Sequence, residues 1–206
     1  MTQRLYVHPD NPQRRLLRIA ADLLRNGGVL VYPTDTSYAL ACHLGDKLAV
    51  ERVRRLRQLS DKHQFTLVCG NLSEVADFAK LDNTGYRLLK RLTPGPYTFV
   101  LNATREVPRR LMHPKRKTIG LRIPASRIVA TLLEELHEPI MSTTLELPGE
   151  SQPLNDPDEI MRRLDKQVDV VIDAGVAGIE VTTLLDLTGE TMSILRHGAG
   201  DVSGLR

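Results

Sequence analysis

The chain has 206 residues, 41% hydrophobic and 26% charged, with a net charge of +3, so we expect a globular protein whose mild basic excess suits anionic ligands or nucleic acid. Its two cysteines, Cys42 and Cys69, exclude a disulfide framework and a cysteine metal site, and they favour the reducing cytoplasm. No apolar run is long enough to span a membrane, and the first residues lack the apolar core of a signal peptide.

The first half of the chain alternates predicted strands and helices. Leucine and alanine at helical spacing predict a helix that Asn11-Pro12 would begin and Gly27-Gly28 would end. The apolar run at 29–32 predicts a buried strand, which Pro33 ends because proline cannot donate to a sheet ladder. The other predicted elements are strands at 5–7, 65–69 and 97–102 and helices at 48–59, 73–80 and 86–92.

The second half contains more strands and ends in hairpin-like stretches. Predicted strands lie at 118–123, 140–143, 168–172, 182–186 and 193–196, and predicted helices lie at 126–136 and 157–166. A polar, proline-containing loop separates the elements at 147–157. This mixture predicts an α/β fold with a twisted mixed sheet, and because no linker interrupts it we predict one domain over residues 1–206.

A polar row follows the strand at 29–32. Thr34, Asp35, Thr36, Ser37 and Tyr38 place hydroxyls and one carboxylate at a strand end. In open α/β sheets ligands bind outside the strand ends, which makes this row a candidate site. An ordinary polar turn is the alternative, since such turns commonly follow strands.

The predicted helix at 48–59 carries a cluster of four arginines: Arg52, Arg54, Arg55 and Arg57. If the helix ends near residue 56, Arg55 and Arg57 can turn towards one anion, which arginine holds through two parallel hydrogen bonds. The alternative is a solvated basic helix face. His43 and His63 flank this helix, but a lone histidine is usually a surface or satisfied core residue, so neither is assigned a role.

Seven short segments occur in an order that resembles the YrdC/YciO family along nearly the whole chain. They are Thr34-Asp35-Thr36-Ser37-Tyr38, Arg55-Leu56-Arg57, Pro94-Gly95-Pro96-Tyr97-Thr98, Arg122-Ile123-Pro124, Ser142-Thr143-Thr144, Thr182-Thr183 and Arg196-His197-Gly198. The stretches RRLRQLSD and VPRRLMHPKRKTIGLRIP are most similar to the YciO branch.

The resemblance implies a twisted mixed sheet in an open α/β sandwich with a large basic cavity. It also implies an L-threonylcarbamoyladenylate synthase, which joins L-threonine, bicarbonate and ATP, releases pyrophosphate, and supplies a modification of adenosine in tRNA. ATP would be a substrate, and Mg²⁺ is expected with it. Two alternatives stay open: a protein that binds double-stranded RNA or tRNA without synthase activity, and a related hydrolase acting on the modified nucleoside or its adenylate.

Matching the family's motifs onto this chain assigns the site residues. Those implied for threonine and carbamate are Thr34, Thr36, Tyr38, Thr98, Arg122, Ser142 and Thr144. Those implied for the nucleotide are Arg55, Arg57, Glu146, Thr182, Thr183 and Arg196. For duplex RNA the candidates are Arg52, Arg54, Arg109, Arg110, Lys115, Arg116 and Lys117. No catalytic residue or metal ligand is assigned.

Two departures from the family's pattern affect the expected activity. Arg55 stands where the family has lysine, and Glu146 stands where it has asparagine. A guanidinium is wider than an ammonium, and a carboxylate beside a triphosphate opposes binding unless a cation compensates it. We therefore expect a poor synthase. Alternatively, Glu146 holds Mg²⁺ or pairs with Arg55 or Arg57.

Overall fold

The computed structural model of the protein describes residues 1–60 and 63–205. The strands in this part of the chain are β1 (Gln3–Tyr6), β2 (Val29–Pro33), β3 (Tyr38–His43), β4 (Thr66–Val68), β5 (Tyr97–Asn102), β6 (Thr118–Arg122), β7 (Ile140–Thr144), β8 (Val170–Asp173), β9 (Thr183–Asp186) and β10 (Ser193–Arg196). The helices are α1 (Arg14–Arg25), α2 (Lys47–Arg57), α3 (Leu72–Phe78), α4 (Asn83–Leu92), α5 (Arg127–Leu136) and α6 (Pro157–Leu164).

All ten strands join one mixed sheet in the order β1-β8-β2-β3-β7-β4-β6-β5-β9-β10. The pairs β1–β8, β2–β8, β4–β6 and β5–β9 are parallel, and the other neighbours are antiparallel. This confirms the predicted α/β fold with a mixed sheet.

Both faces of the sheet are covered, because successive side chains of a strand point to opposite faces. In β2, Val29 and Val31 belong to the core that α2, α4 and α6 cover, whereas Leu30 and Tyr32 belong to the core beneath α1 and α5. A strand buried on both faces is apolar throughout rather than alternating, which explains the continuous run in the sequence. Among the helices of residues 1–60 and 63–205, none is both long and apolar enough to cross a bilayer.

Three local predictions differ from the structure. β3 was not predicted: its alanines have low strand propensity, yet it pairs on both sides, with β2 and β7. α1 begins at Arg14 after Gln13, so Asn11 and Pro12 lie before the helix and do not cap it. α2 ends at Arg57 rather than at residue 59, because Gln58 adopts a left-handed conformation with φ of 48°.

The register between β4 and β7 creates the space for a site. Their pairing stops at Thr66 and Ser142, so the last two residues of β7 extend beyond β4. The end of α2 reaches this extension, since Arg57 contacts Thr143 and Thr144 there.

Candidate anion-binding pocket

A cavity of about 270 Å³ lies where β7 extends beyond β4. Three arginines, one glutamate, one histidine and several hydroxyls form most of its wall. The lining residues are Ser37, Ala39, Arg57, His63, Gln64, Thr66, Val68, Thr98, Arg122, Ser142, Thr143, Thr144, Glu146, Val181, Thr182, Leu184 and Arg196. We call this cavity the pocket. Its excess of cationic groups and hydroxyl donors suits an anionic, oxygen-rich ligand.

Arg122, at the end of β6, is held by the polar row that follows β2. Its Nη2 donates to the Asp35 carboxylate and, at 3.0 Å, to Thr36 Oγ1. The other carboxylate oxygen of Asp35 accepts from the Ala125 amide at 3.0 Å. Burial lowers the pKa of Arg122, and Asp35 opposes that shift. The ion pair therefore fixes a buried guanidinium at the pocket wall.

Arg196, on the edge strand β10, forms a second wall with two threonines. Its Nε and Nη2 donate to the Thr182 carbonyl at 3.1 and 3.0 Å. Thr182 Oγ1 accepts from Nη2 at 3.1 Å and lies 2.8 Å from Thr98 Oγ1. Arg196 is exposed as a whole, but partial desolvation at the pocket is the main cause that lowers its pKa, with Glu146 opposing the shift and Arg122 adding to it.

Arg57, the last residue of α2, is the third arginine of the pocket wall. Its Nη1 donates to the Thr144 carbonyl at 2.6 Å and to Thr143 Oγ1 at 3.0 Å. Its Nη2 lies 3.8 Å from Glu146 Oε2, a distance for an ion pair without a hydrogen bond. Only 11% of the Arg57 side chain is exposed, against 41% for Glu146. Burial lowers the pKa of Arg57, and Glu146 opposes that shift.

His63 lies beside Arg57 and was not assigned a role from the sequence. Its Nε2 is 3.3 Å from Thr143 Oγ1, and its ring meets Phe65 edge-on with centroids 5.2 Å apart. Burial, followed by repulsion from Arg57 and Arg54, lowers the pKa of His63 to about 4. The imidazole is therefore neutral at physiological pH.

Several buried donors of the pocket side chains lack an acceptor within the described residues. They are Arg57 Nε, Arg122 Nε and Gln64 Nε2. Leaving a buried donor unpaired costs about 1–3 kcal/mol, and more when the group is charged. A ligand with acceptor oxygens that draws these side chains towards it would remove part of that cost.

Eight of the predicted small-ligand residues line the pocket together: Thr98, Arg122, Ser142, Thr144, Arg57, Glu146, Thr182 and Arg196. Four others hold the surrounding backbone or wall. Thr34 donates to the Ser37 carbonyl at 2.7 Å, and Thr36 supports Arg122. The Tyr38 side chain is buried in the core, where desolvation raises its pKa to about 12 and its hydroxyl donates to the Gly175 carbonyl. Thr183 is buried and donates to the Gly200 carbonyl.

Arg55 is not brought to the pocket. It lines a separate open groove of about 640 Å³ between α2 and α6, together with Arg52, Leu56, Gln58, Leu147, Pro148, Arg163, Leu164 and Gln167. We call this the groove. Its other two arginines are paired with carboxylates: Arg52 with Asp169 at 2.8 Å and Arg163 with Glu150 at 2.7 Å.

Some of the predicted RNA-binding side chains contact other parts of the protein, and others are exposed to solvent. Arg54 lies over the Phe65 ring at 4.7 Å, and Arg110 donates to the Leu44 carbonyl at 2.7 Å. In contrast to these two half-buried arginines, four candidates are exposed: Arg109, Lys115, Arg116 and Lys117. The last three directly precede β6, whose far end carries Arg122, so Lys117 lies about 17 Å along the strand from Arg122.

Part of the pocket wall was not predicted from the sequence, including His63, Gln64, Thr66 and Thr143. One signal was available: His63 and Gln64 stand in the short connection between the arginine helix and the next strand. Connections at strand ends commonly carry binding residues.

The pocket offers few protein ligands to Mg²⁺. Among the described residues Glu146 is the one carboxylate that lines the pocket, and these residues contain no group of three His, Cys, Asp or Glu placed to hold a metal. Mg²⁺ is commonly bound through one or two carboxylates together with substrate phosphates. Glu146 therefore fits a metal that enters with a triphosphate, and no larger protein cage is available in residues 1–60 and 63–205.

Comparisons with known proteins identify related sequences and structures. The model of the family Sua5_yciO_yrdC, described as "Telomere recombination", matches residues 22–198. The chain is 53% identical over 202 residues to "Uncharacterized protein YciO" of Escherichia coli K12, covering 98% of both. It is 32% identical to human "Threonylcarbamoyl-AMP synthase" over 84% of this chain and 62% of that protein.

Solved structures match over most of the chain. The crystal structure of E. coli YciO superposes with a TM-score of 0.95 and covers 98% of both chains. Pyrococcus abyssi Sua5 in complex with L-threonine superposes with a TM-score of 0.88 at 26% identity, over 96% of this chain and 58% of that one.

Proposed function

This chain belongs to the Sua5/YciO/YrdC family, and we propose that its pocket binds ATP and L-threonine and supports a weak L-threonylcarbamoyladenylate synthase activity. The reaction joins L-threonine, bicarbonate and ATP and releases pyrophosphate, and its product serves the threonylcarbamoyl modification of tRNA. The relation to threonylcarbamoyl-AMP synthases and to a threonine-bound Sua5 supports this choice of substrates.

The observation that carries the proposal is the convergence of three arginines on one cavity, two of them, Arg57 and Arg122, with largely buried side chains. Arg57, Arg122 and Arg196 come from α2, β6 and β10, and of the carboxylates that the structure describes, Glu146 alone lines the same space. Guanidinium groups bind phosphate oxygens strongly in a partly desolvated site, because water screens the interaction less there. The arginines would thus neutralise the triphosphate.

The hydroxyl groups of the pocket supply the polar contacts for the amino acid. Ser142 and Thr144 lie on β7, and Thr98 faces Thr182 from β5. These groups would hold L-threonine and its carbamate against the nucleotide. Catalysis in such a site consists mainly of orienting the reactants and stabilising the charge that develops. Mg²⁺ bound through Glu146 and the phosphates would neutralise part of the triphosphate charge.

The proposed activity is weak for two reasons that concern charge. Glu146 brings a negative group to within 3.8 Å of Arg57, where it competes with a phosphate for that guanidinium. Arg55, at the family's lysine position, lies in the groove and contributes no contact to the pocket. A synthase site would therefore lack one cation and carry one additional anion.

The test is release of pyrophosphate from ATP, measured with L-threonine or bicarbonate omitted in turn. We expect slow release that requires both substrates and that Arg57→Ala abolishes. Release of pyrophosphate or phosphate without L-threonine would favour the related hydrolase instead. No nucleotide turnover under any condition, together with no ATP binding, would refute the proposed function.

A second candidate function, binding of double-stranded RNA, is favoured by one surface feature. Lys115, Arg116 and Lys117 are consecutive and exposed, and no carboxylate of the described residues forms an ion pair with them. Unpaired exposed cations bind nucleic acid backbones with little reading of sequence and with strong salt dependence.

The test for RNA is a triple alanine variant at positions 115–117. It should weaken duplex binding and reduce the slope of log affinity against log salt by up to about 3, because each lost phosphate contact contributes about one unit. The matched control changes the exposed Lys80, Arg87 and Lys90 to alanine, which removes the same charge elsewhere. Equal losses in the two triple variants would refute a specific RNA surface.

A further inference from the structure

His63 stands at the pocket wall in a fixed orientation. It directly follows the two residues outside the described chain, its amide donates to the Ser60 carbonyl at 3.0 Å, and its ring packs edge-on against the buried Phe65. Phe65 is in turn covered by the Arg54 guanidinium at 4.7 Å. The imidazole is therefore positioned by packing rather than left to rotate in solvent.

The hydrogen bonds around Thr143 define the state of this imidazole. Thr143 Oγ1 accepts from Arg57 Nη1 at 3.0 Å and lies 3.3 Å from His63 Nε2. A hydroxyl has one proton, and Arg57 can only donate. The arrangement is satisfied when Thr143 donates to an unprotonated Nε2, which leaves the ring proton on Nδ1.

The charges that surround the imidazole explain why it is neutral. Arg54 and Arg57 approach from α2, while Arg122 on β6 and Arg196 on β10 line the same pocket. Glu146, just after β7, is the carboxylate on this wall within residues 1–60 and 63–205. Burial and the two nearby arginines together hold the pKa of His63 at about 4, well below its ordinary range. Of the two arginines, Arg57 contributes more to the low pKa of His63. An anion bound beside Arg57 would offset that repulsion.

We propose that His63 is a ligand-binding residue of the pocket, one that takes up a proton when a phosphate-bearing anion binds beside Arg57. The proton comes from solvent and binds to Nε2, and no covalent bond forms or breaks. The imidazolium then offers a further charged donor, and the Thr143 hydroxyl is released to donate elsewhere. This inference rests on the proposed function for the identity of the anion as a nucleotide.

The sign of the pH dependence follows from proton linkage. If ligand binding raises the pKa of His63, the complex holds more protons than the free protein at any pH between the two values. Affinity therefore rises as pH falls through the pKa of the complex and levels off near the pKa of the free protein. If the complex restores an ordinary histidine pKa, affinity should be about fourfold higher at pH 6 than at pH 8.

The test measures ATP binding by calorimetry at these two pH values, in two buffers that differ in ionisation enthalpy. ATP itself titrates in this range, so His63→Gln is measured in parallel and the difference between the two proteins isolates the His63 proton. His43→Gln is the matched control, because His43 pairs with Glu138 at 3.0 Å and does not line the pocket. We expect proton uptake and the additional pH dependence in the wild type and in His43→Gln, and their loss in His63→Gln.

A second measurement uses the wild-type protein, so its result does not depend on whether His63→Gln folds. NMR of the histidine ring signals follows the protonation of His63 as ATP, or inorganic sulfate if ATP does not bind, is added. A ring that stays neutral while an anion perturbs the pocket would overturn the inference and leave the proposed function standing. If ATP does not bind but sulfate raises the pKa of His63, the result would refute the proposed nucleotide binding and keep the inference about His63. If neither ATP nor sulfate binds to the pocket, both the proposed function and the inference about His63 would be refuted.

Discussion

The pocket and the groove both contain three arginines, yet they differ in how those arginines are held. In the groove, Arg52 and Arg163 pair with carboxylates, and Arg55 is exposed to solvent. In the pocket, Arg57 and Arg122 are about nine-tenths buried and keep donors without acceptors in the described residues. Surface ion pairs are already satisfied and well screened, whereas buried, incompletely paired cations favour the entry of an anion.

The number of arginines in a cavity therefore does not by itself locate an anion site. The helix α2 supplies members to both regions, with Arg55 and Arg57 only two residues apart. Residues two apart on a helix point in different directions, and α2 continues to Arg57. Burial and pairing therefore assign the binding role to Arg57, and variants can test the comparison from several sides.

The largest effect should come from breaking the buried ion pair of the pocket. Arg122→Met leaves Asp35 buried without its cation, and we expect the free energy of unfolding to fall by about 3–5 kcal/mol. Arg163→Met in the groove should cost only about 0–1 kcal/mol, because that pair is partly exposed and screened. Urea unfolding of both variants measures the contrast, and equal losses would contradict it.

The next effect concerns the charge of Glu146. Glu146→Asn removes the group that competes for Arg57, and we expect ATP to bind about tenfold more tightly, equivalent to about 1.4 kcal/mol. Arg55→Lys would restore the family's residue at the second departure from its pattern. Because Arg55 lies in the groove, we expect the double variant to bind ATP no better than Glu146→Asn alone.

Titrations with and without Mg²⁺ separate this account from its competitor. If Glu146 is mainly a metal ligand, Glu146→Asn should weaken ATP binding, and the loss should appear only when Mg²⁺ is present. A loss that is independent of Mg²⁺ would mean that Glu146 supports Arg57 rather than competing with the ligand.

The smallest effect should follow removal of the hydroxyl between Arg57 and His63. Thr143→Val keeps the side-chain shape and deletes one hydrogen-bonding group, so we expect the free energy of unfolding to fall by about 0.5–1.5 kcal/mol. The control in the groove is Gln167→Ala. The exposed Gln167 side chain donates to the Arg163 carbonyl, and the variant removes that hydrogen bond. Its loss should be smaller in the same denaturation experiment, and the reverse order would contradict the account.

The sequence predicted the fold class and nearly all elements because strands and helices here follow clear apolar patterns. The resemblance to the family is confirmed by the family match and by the YciO and Sua5 structures. β3 was missed because alanine has a low strand propensity. This strand is stabilised by pairing with β2 and β7, and such long-range contacts cannot be read from local sequence.

The site was predictable only in part, and the failures have a common cause. Eight motif residues converge, but Arg55 and Tyr38 do not line the pocket, and His63 does. Motif matching identifies positions, whereas the direction of a side chain depends on where a helix ends and which core it faces. The left-handed residue Gln58, which ends α2 after Arg57, could not be located to one residue from the sequence.

Calorimetric titration of ATP into Arg57→Ala and Arg55→Ala tests the central claim most directly, because both variants remove one arginine from the same helix. Loss of a charge-assisted hydrogen bond at a largely buried site should cost about 1.5–3 kcal/mol, so Arg57→Ala should weaken binding at least about tenfold. Arg55→Ala, which removes an exposed side chain from the groove, should change the affinity less than about twofold. An equal or larger loss for Arg55→Ala would place the anion in the groove and contradict the account.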